Sequence, residues 1–248
     1  MWLAVTDPRI LVIVPAWNEE PSIGGVVRSL KNCGYEVLVV DDGSTDRTAA
    51  VARAESALVV VLPFNLGVGA ALRCGFRYAI ENGFQIAVQC DADGQHPVDH
   101  IRQLLDHMRE TDSHMVIGSR FRNGRPEAMK LSAIRRVAMW VLGKSASRAA
   151  RVPITDSTSG FRAIRSPLLE EFANQLAPYY LGDTYEAVVS AGRAGYKVAE
   201  ISAPISEREY GTSSARPLTA ARLTTKALLS AILRVNPVLK GPSAYSTR

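Results

Sequence analysis

The sequence predicts an α/β fold built on a doubly wound, mostly parallel sheet, and three observations lead there. Short apolar runs rich in β-branched residues recur along the first half of the chain, stretches with helical periodicity separate them, and almost every run stops at acidic or turn-forming residues. Strands alternating with helices imply right-handed βαβ units and helices on both faces of one sheet. Ligands of such sheets bind beyond the carboxyl ends of the strands.

The elements follow in order. Ile10 to Val14 reads as a strand buried on both faces, ending at Pro15-Ala16-Trp17-Asn18-Glu19-Glu20-Pro21. Ser22 is expected to cap a helix to about Asn32, with Gly34 closing it. Glu36 to Val40 is the second strand; it stops at Asp41-Asp42-Gly43-Ser44-Thr45-Asp46, where Thr45 or Asp46 can cap a helix over 47–54. Ala57 to Leu62, Gln85 to Cys90 and Met115 to Gly118 are the next strands, with helices over 69–82 and 97–109 between them. A helix over 129–150 is amphipathic in outline: Leu131, Ile134, Val137, Ala138, Val141 and Leu142 recur at helical spacing, with basic residues on much of the remainder. Helices at 167–175 and up to Ala194, a strand over 196–201, a polar loop over 207–214 and a helix over 218–233 complete the reading. The tail over 237–248 is expected to fray. One domain over 1–215, containing the basic segment 120–155, is followed by a C-terminal helix and tail over 216–248.

Charge divides the chain. Residues 1–118 hold 9 Lys and Arg against 15 Asp and Glu, whereas residues 119–248 hold 20 against 9. The basic half is expected to face phosphate groups or an anionic membrane surface. No aromatic interleaving or nucleic-acid motif accompanies it, so nucleic acid is not an expected partner. Cys33, Cys74 and Cys90 show no paired spacing and read as reduced thiols of a cytoplasmic protein. The first residues lack the pattern of a signal peptide, and no run of 18 apolar residues occurs, so membrane contact would be peripheral, at the inner face.

The richest stretch is Ile86-Ala87-Val88-Gln89-Cys90-Asp91-Ala92-Asp93-Gly94-Gln95-His96-Pro97. Residues i and i+2 of an extended chain point to one side, so Asp91 and Asp93 can converge. Two such carboxylates repel unless a cation lies between them, and Mg²⁺ or Mn²⁺ prefers oxygen ligands, completed in many sites by substrate phosphates. An ordinary Asp-Gly turn is the alternative for the isolated motif. Its position argues for the metal, because Glu19-Glu20, Asp41-Asp42 and Asp91/Asp93 all fall at carboxyl ends of strands. Gly67-Val68-Gly69 follows the third strand, and Leu72 stands where a dinucleotide fingerprint needs a small residue, so a nicotinamide or flavin site is not expected.

Six motifs in order resemble those of family 2 glycosyltransferases, in the branch of dolichyl- or polyprenyl-phosphate sugar synthases. They are Val14-Pro15-Ala16-Trp17-Asn18-Glu19, with Trp17 where the family usually has Tyr; Val40 to Asp46; Asp91 to Pro97; Gly118-Ser119-Arg120-Phe121; Thr158-Ser159-Gly160-Phe161-Arg162; and Arg208-x-x-Gly211-x-Ser213. The resemblance implies an A-type glycosyltransferase fold, a nucleotide-diphosphate-sugar donor and Mg²⁺ or Mn²⁺. Carried over by motif, Pro15, Trp17, Glu19, Asp41 and Asp42 would hold the base and ribose. Asp91 would lie near the ribose and metal, Asp93 and Gln95 would complete the coordination, and Arg120 and Arg208 would face phosphates.

A hydroxyl acceptor needs a general base, whereas a phosphate oxygen is already anionic. The Glu-Asp pair common in hydroxyl-using members is missing from Gly182-Asp183-Thr184-Tyr185-Glu186, although Asp183 or Glu186 could still serve as base. For Glu186 an ion pair with Arg193 or Arg162 is the competing reading. The spacing in that stretch resembles that of the lipid-phosphate branch, and this resemblance implies a polyprenyl phosphate acceptor, which the basic segment 120–155 and the helix over 218–233 fit. A soluble hydroxyl acceptor and a non-catalytic sugar-nucleotide-binding module are the alternatives, and a nucleotidyltransferase would need a Gly-rich phosphate loop that the first strand lacks.

Overall fold

The computed structural model describes residues 8–122, 133–175, 184–204 and 239–245. The seven strands are β1 (Ile10–Ala16), β2 (Glu36–Asp41), β3 (Leu58–Val61), β4 (Ile86–Gln89), β5 (Met115–Ser119), β6 (Arg162–Arg165) and β7 (Val198–Ser202). The helices are α1 (Glu20–Asn32), α2 (Thr48–Ala54), α3 (Val68–Glu81), α4 (His100–Thr111), α5 (Ala133–Ala150), α6 (Leu168–Gln175) and α7 (Tyr185–Arg193). All strands join one sheet in the order β3-β2-β1-β4-β6-β5-β7.

The expected doubly wound sheet is present. Alternation along β1 explains its two layers: Leu11 and Ile13 enter one apolar cluster with α3, α6 and α7, while Val12 and Val14 enter another with α1 and α4. All four side chains are fully buried, and each such burial contributes about 1.5–3 kcal/mol. Gly75 of α3 lets that helix lie on β1, since a Cβ there would stand 2.5 Å from Ile13 Cγ2.

Three sequence expectations need correction. First, β6 was not foreseen and runs antiparallel to both neighbours, β4 and β5. After α5 the chain returns to the edge where the parallel strands end and enters the sheet from there, so its direction is reversed. Arg162 and Arg165 hide the strand from an apolar-pattern reading, yet Arg162 is fully buried. Second, Ser22 does not cap α1. The helix starts at Glu20 with Pro21 in its first turn, where a missing N–H costs nothing. Third, part of the tail is docked: Leu239 is buried, the Lys240 amide donates to Glu171 Oε2 at 2.8 Å, and the Tyr245 hydroxyl bonds the same carboxylate. Burial and that carboxylate push the Tyr245 phenol up. The helix expected over 218–233 and the loop over 207–214 lie outside the described residues.

Among the described residues no helix is long and apolar enough to cross a membrane. Cys33 is exposed, Cys74 half-buried and Cys90 buried, all as free thiols.

Candidate functional site

The parallel strands β1 to β5 and the antiparallel β6 bring their connecting loops to one sheet edge. At the end of β2, the Asp42 amide donates to Ala16 O at the end of β1, at 2.8 Å. The loops after β1 and β2 are then laced together. Asn18, in a left-handed conformation at φ 55, accepts the Thr45 amide at 2.8 Å through Oδ1. The Glu19 amide donates to Thr48 Oγ1 at 2.8 Å, and the Arg47 amide to Glu20 Oε2 at 2.9 Å.

The acid pair of this region has a task that the sequence did not reveal. Asp41 Oδ1 accepts the Ser44 amide at 2.8 Å, while the two Asp42 oxygens accept the amides of Leu66 and Gly67, each at 2.8 Å. Only 2% of Asp41 and 3% of Asp42 is exposed. Burial raises the Asp42 carboxyl above its ordinary range, with the two amides opposing the rise and the neighbouring Asp41 charge adding to it. Asp42 thus ties the β3–α3 loop against the β2 end. Gly43, at φ +71, permits the contact: a Cβ there would stand 2.6 Å from the Phe64 carbonyl carbon. The Gly67 amide, at the start of α3, is thereby taken up in loop packing. Trp17 is 44% exposed at the rim, and Glu19 Oε2 accepts the Ser22 hydroxyl at 2.9 Å.

Beyond β4 the chain folds back on itself. The Asp91 amide donates to His96 Nδ1 at 2.9 Å, so the ring proton sits at Nε2, which lies 3.5 Å from Asp91 Oδ2. The His96 side chain is buried and packs on Phe161 at 5.0 Å between ring centroids. Asp91 keeps 41% of its side chain exposed, whereas Asp93 is buried and accepts the Gln95 amide at 3.1 Å. Gly160 closes the other side: a Cβ there would stand 3.1 Å from both Asp91 Oδ1 and Gln89 Nε2. Cys90 is sealed beneath, and burial together with the charges of Asp91 and Asp93 pushes its thiol far above the ordinary value. It is chemically inert there.

Asp91, Asp93 and Gln95 offer oxygen donors and no thiolate or imidazole, the set that suits a hard divalent cation with coordination left over for phosphate. Among the described residues, no three His, Cys, Asp or Glu side chains form a closed cage. The residues present fit an open Mg²⁺ or Mn²⁺ site of the expected kind.

Arg120 sits at the same edge, but not as a bare cation. Its Nε and Nη2 bond Asp156 Oδ2 and Oδ1 at 2.7 and 2.9 Å, and Nη2 also reaches Thr158 Oγ1 at 3.2 Å. The Asp156 side chain is fully buried. A phosphate here would therefore meet an Arg–Asp pair. Asp156 is held in turn: Glu200 of β7 accepts the Thr155 amide at 2.7 Å and the Asp156 amide at 3.3 Å. Arg162 completes the frame by donating to Ser159 O, Thr184 O and Ser157 O at 2.7, 2.9 and 3.1 Å. It joins the 156–161 loop to the start of α7.

Sequence reasoning gave no role to His96, Asp156 or Glu200, and it named Arg162 only as a candidate ion-pair partner of Glu186. Asp156 carried a signal, being the first acid after a segment with nine Lys or Arg and one Glu. Glu186 is half-buried in the first turn of α7. Asp183 and Arg208 lie outside the described residues.

A sequence profile of the family described as "Glycosyl transferase family 2" matches residues 11–172. The chain is a family 2 glycosyltransferase. It is 32% identical over 213 residues to the undecaprenyl-phosphate mannosyltransferase of Micrococcus luteus, covering 83% of this chain and 86% of that one. It is 29% identical over 224 residues to the UDP-N-acetylglucosamine–dolichyl-phosphate N-acetylglucosaminyltransferase of Methanococcus voltae, covering 83% and 89%. Among solved structures, glucosyl-3-phosphoglycerate synthase of Mycobacterium tuberculosis, in complex with Mn²⁺, UDP and glucosyl-3-phosphoglycerate, superposes with a TM-score of 0.62. That match has 21% identity and covers 92% of this chain and 79% of that one. It supports the A-type glycosyltransferase fold and no more. The profile spans the strand ends that carry Asp41, Asp91, Asp93 and Arg120, so the glycosyltransferase region contains the site built above.

Proposed function

We propose that this glycosyltransferase moves a sugar, with inversion, from a nucleotide-diphosphate-sugar to a polyprenyl phosphate. The observation that carries the reading is the cluster at the β4 end, where an exposed Asp91 carboxylate and a buried Asp93 lie beside Gln95 at an edge that also holds Arg120. The relatives named for lipid-phosphate acceptors support the acceptor class.

In this reading Trp17 offers its exposed ring, and Pro15 and Glu19 line the loop, where the base and ribose enter. Asp41 and Asp42 act by holding that pocket's walls. Asp91, Asp93 and Gln95 would hold one divalent cation, which when bound offsets the charge gathering on the leaving diphosphate. The acceptor phosphate oxygen attacks the anomeric carbon from the face opposite the diphosphate. Its electron pair forms the new C–O bond, while the pair of the breaking bond leaves with the nucleoside diphosphate. No proton has to be removed from the acceptor, so a base at Asp183 or Glu186 is not required. Arg120, steered by Asp156, and Arg208 contribute positive charge toward phosphate.

Two measurements test this. A thermal-shift panel of GDP-mannose, UDP-glucose and UDP-N-acetylglucosamine with and without Mn²⁺ should show one donor raising the midpoint, and raising it more with metal. Turnover of that donor should then be faster with a short-chain prenyl phosphate than with a soluble hydroxyl acceptor. Turnover only with water-soluble hydroxyl acceptors overturns the acceptor class, and donor binding without transfer to any acceptor revives the non-catalytic module.

A further inference from the structure

The direction of α5 can be read from its neighbours. α7 begins at the catalytic edge, where Arg162 Nη1 donates to Thr184 O at 2.9 Å, and leads to the start of β7, where Val198 pairs in parallel with Met115 at the opposite edge. The Tyr185 hydroxyl, at the first turn of α7, bonds Ser145 Oγ at 2.8 Å, and Gly192, two turns later, lies against the backbone of Ala149. The two helices therefore run in the same sense, and residues of α5 before Ser145 lie toward the catalytic edge. Trp140 is five positions earlier, roughly 7.5 Å at the helical rise.

Trp140 is also the most exposed large apolar side chain among the described residues, at 63%. Lys144 and Arg148 follow at successive i+4 steps, both exposed, so the three fall within about 80° of the helix circumference. Leu142 and Ala146 are buried on the opposite side of the helix, against the body of the enzyme. Lys144 Nζ stands 5.9 Å from the Trp140 ring centroid. An aromatic ring beside basic residues, with the ring nearest the active edge, is the composition favoured at a lipid–water interface. The segment 120–155 that contains it carries nine Lys or Arg and one acid, a charge suited to anionic headgroups.

We propose that the Trp140–Lys144–Arg148 face of α5 docks the enzyme on an anionic bilayer, with Trp140 at the level of the headgroups and the catalytic edge turned toward the lipid phosphate. The proposal deepens the lipid-acceptor reading and takes its purpose from it.

The test is vesicle flotation of the full chain with phosphatidylcholine alone and with added phosphatidylglycerol, alongside turnover with a short-chain prenyl phosphate free in solution. Wild type should float with the anionic vesicles and less so as salt rises. Lys144→Gln and Arg148→Gln should each lower partitioning about fivefold, as expected for one basic residue near a charged surface. Trp140→Ser should remove the binding that survives high salt. All three variants should turn over the short-chain acceptor at the wild-type rate, which also shows that they fold. Wild type that stays in solution, or variants that float as wild type does, overturn the docking face. If wild type turns over no prenyl phosphate, the acceptor reading fails and flotation still decides the face by itself.

Discussion

At the scale of single residues, the site assigns unequal work to similar groups. Asp91 is exposed on its carboxylate side and pinned at its amide by His96, whereas Asp93 is buried and bonded to the Gln95 amide. In the proposed metal site, Asp93 would thus be the better fixed donor. Asp93→Ala should lower kcat/KM at least about 100-fold, by comparison with losses of similar electrostatic groups, and should abolish the response of rate to Mn²⁺. A variant with wild-type turnover and metal response removes Asp93 from the site. Arg120 and Asp156 form a second fixed unit. Because the Asp156 side chain is fully buried, Arg120→Ala leaves an uncompensated carboxylate and should destabilise the fold by about 3–5 kcal/mol, read as a lower urea midpoint. An Arg120→Ala loss of activity therefore has to be read beside that stability change.

Among elements, the contact of α5 with α7 depends on one missing side chain. A Cβ on Gly192 would stand 2.5 Å from the Ala149 carbonyl carbon, which is backbone and cannot swing aside. Gly192→Ala should push the helices apart and cost about 1–3 kcal/mol, measured by urea unfolding. An unchanged midpoint would mean that α5 is free to shift. The antiparallel β6 is the other element on which the site depends, because it delivers Gly160, Phe161 and Arg162 to Asp91, His96 and Thr184. Four residues with an Arg at each end carry no two-period apolar signal, which is why the strand is illegible in sequence.

For the whole molecule, stability should depend on pH through the edge opposite the site. Burial, with Arg165 and then Lys197 nearby, lowers the His114 imidazole to about 4, against a partial opposing effect of Asp112. Its ring packs edge-on against Tyr196 at 5.1 Å and accepts the Lys197 amide at 3.3 Å. A depressed folded-state value means that the unfolded chain binds the extra proton first as pH falls. The stabilising contribution is full above about pH 6.5, the ordinary histidine value, and is lost progressively toward pH 4. Urea midpoints at pH 7 and pH 4.5 should fall less in His114→Gln than in wild type. Equal falls would show that His114 is not the group responsible.

The sequence by itself determined the order of strands and helices apart from β6, because apolar runs and helical spacing report local burial. It also placed Asp41, Asp42, Asp91 and Asp93 at strand ends, because a doubly wound sheet sends those ends to one edge. Only the tertiary structure decided what each group does there. Asp42 is occupied by two loop amides, Arg120 by a buried carboxylate 36 residues away, and Asp91 by a histidine that folds back onto it. Each of these depends on a reversal of the chain or a contact between distant loops, and residue spacing along a strand or helix carries no record of either.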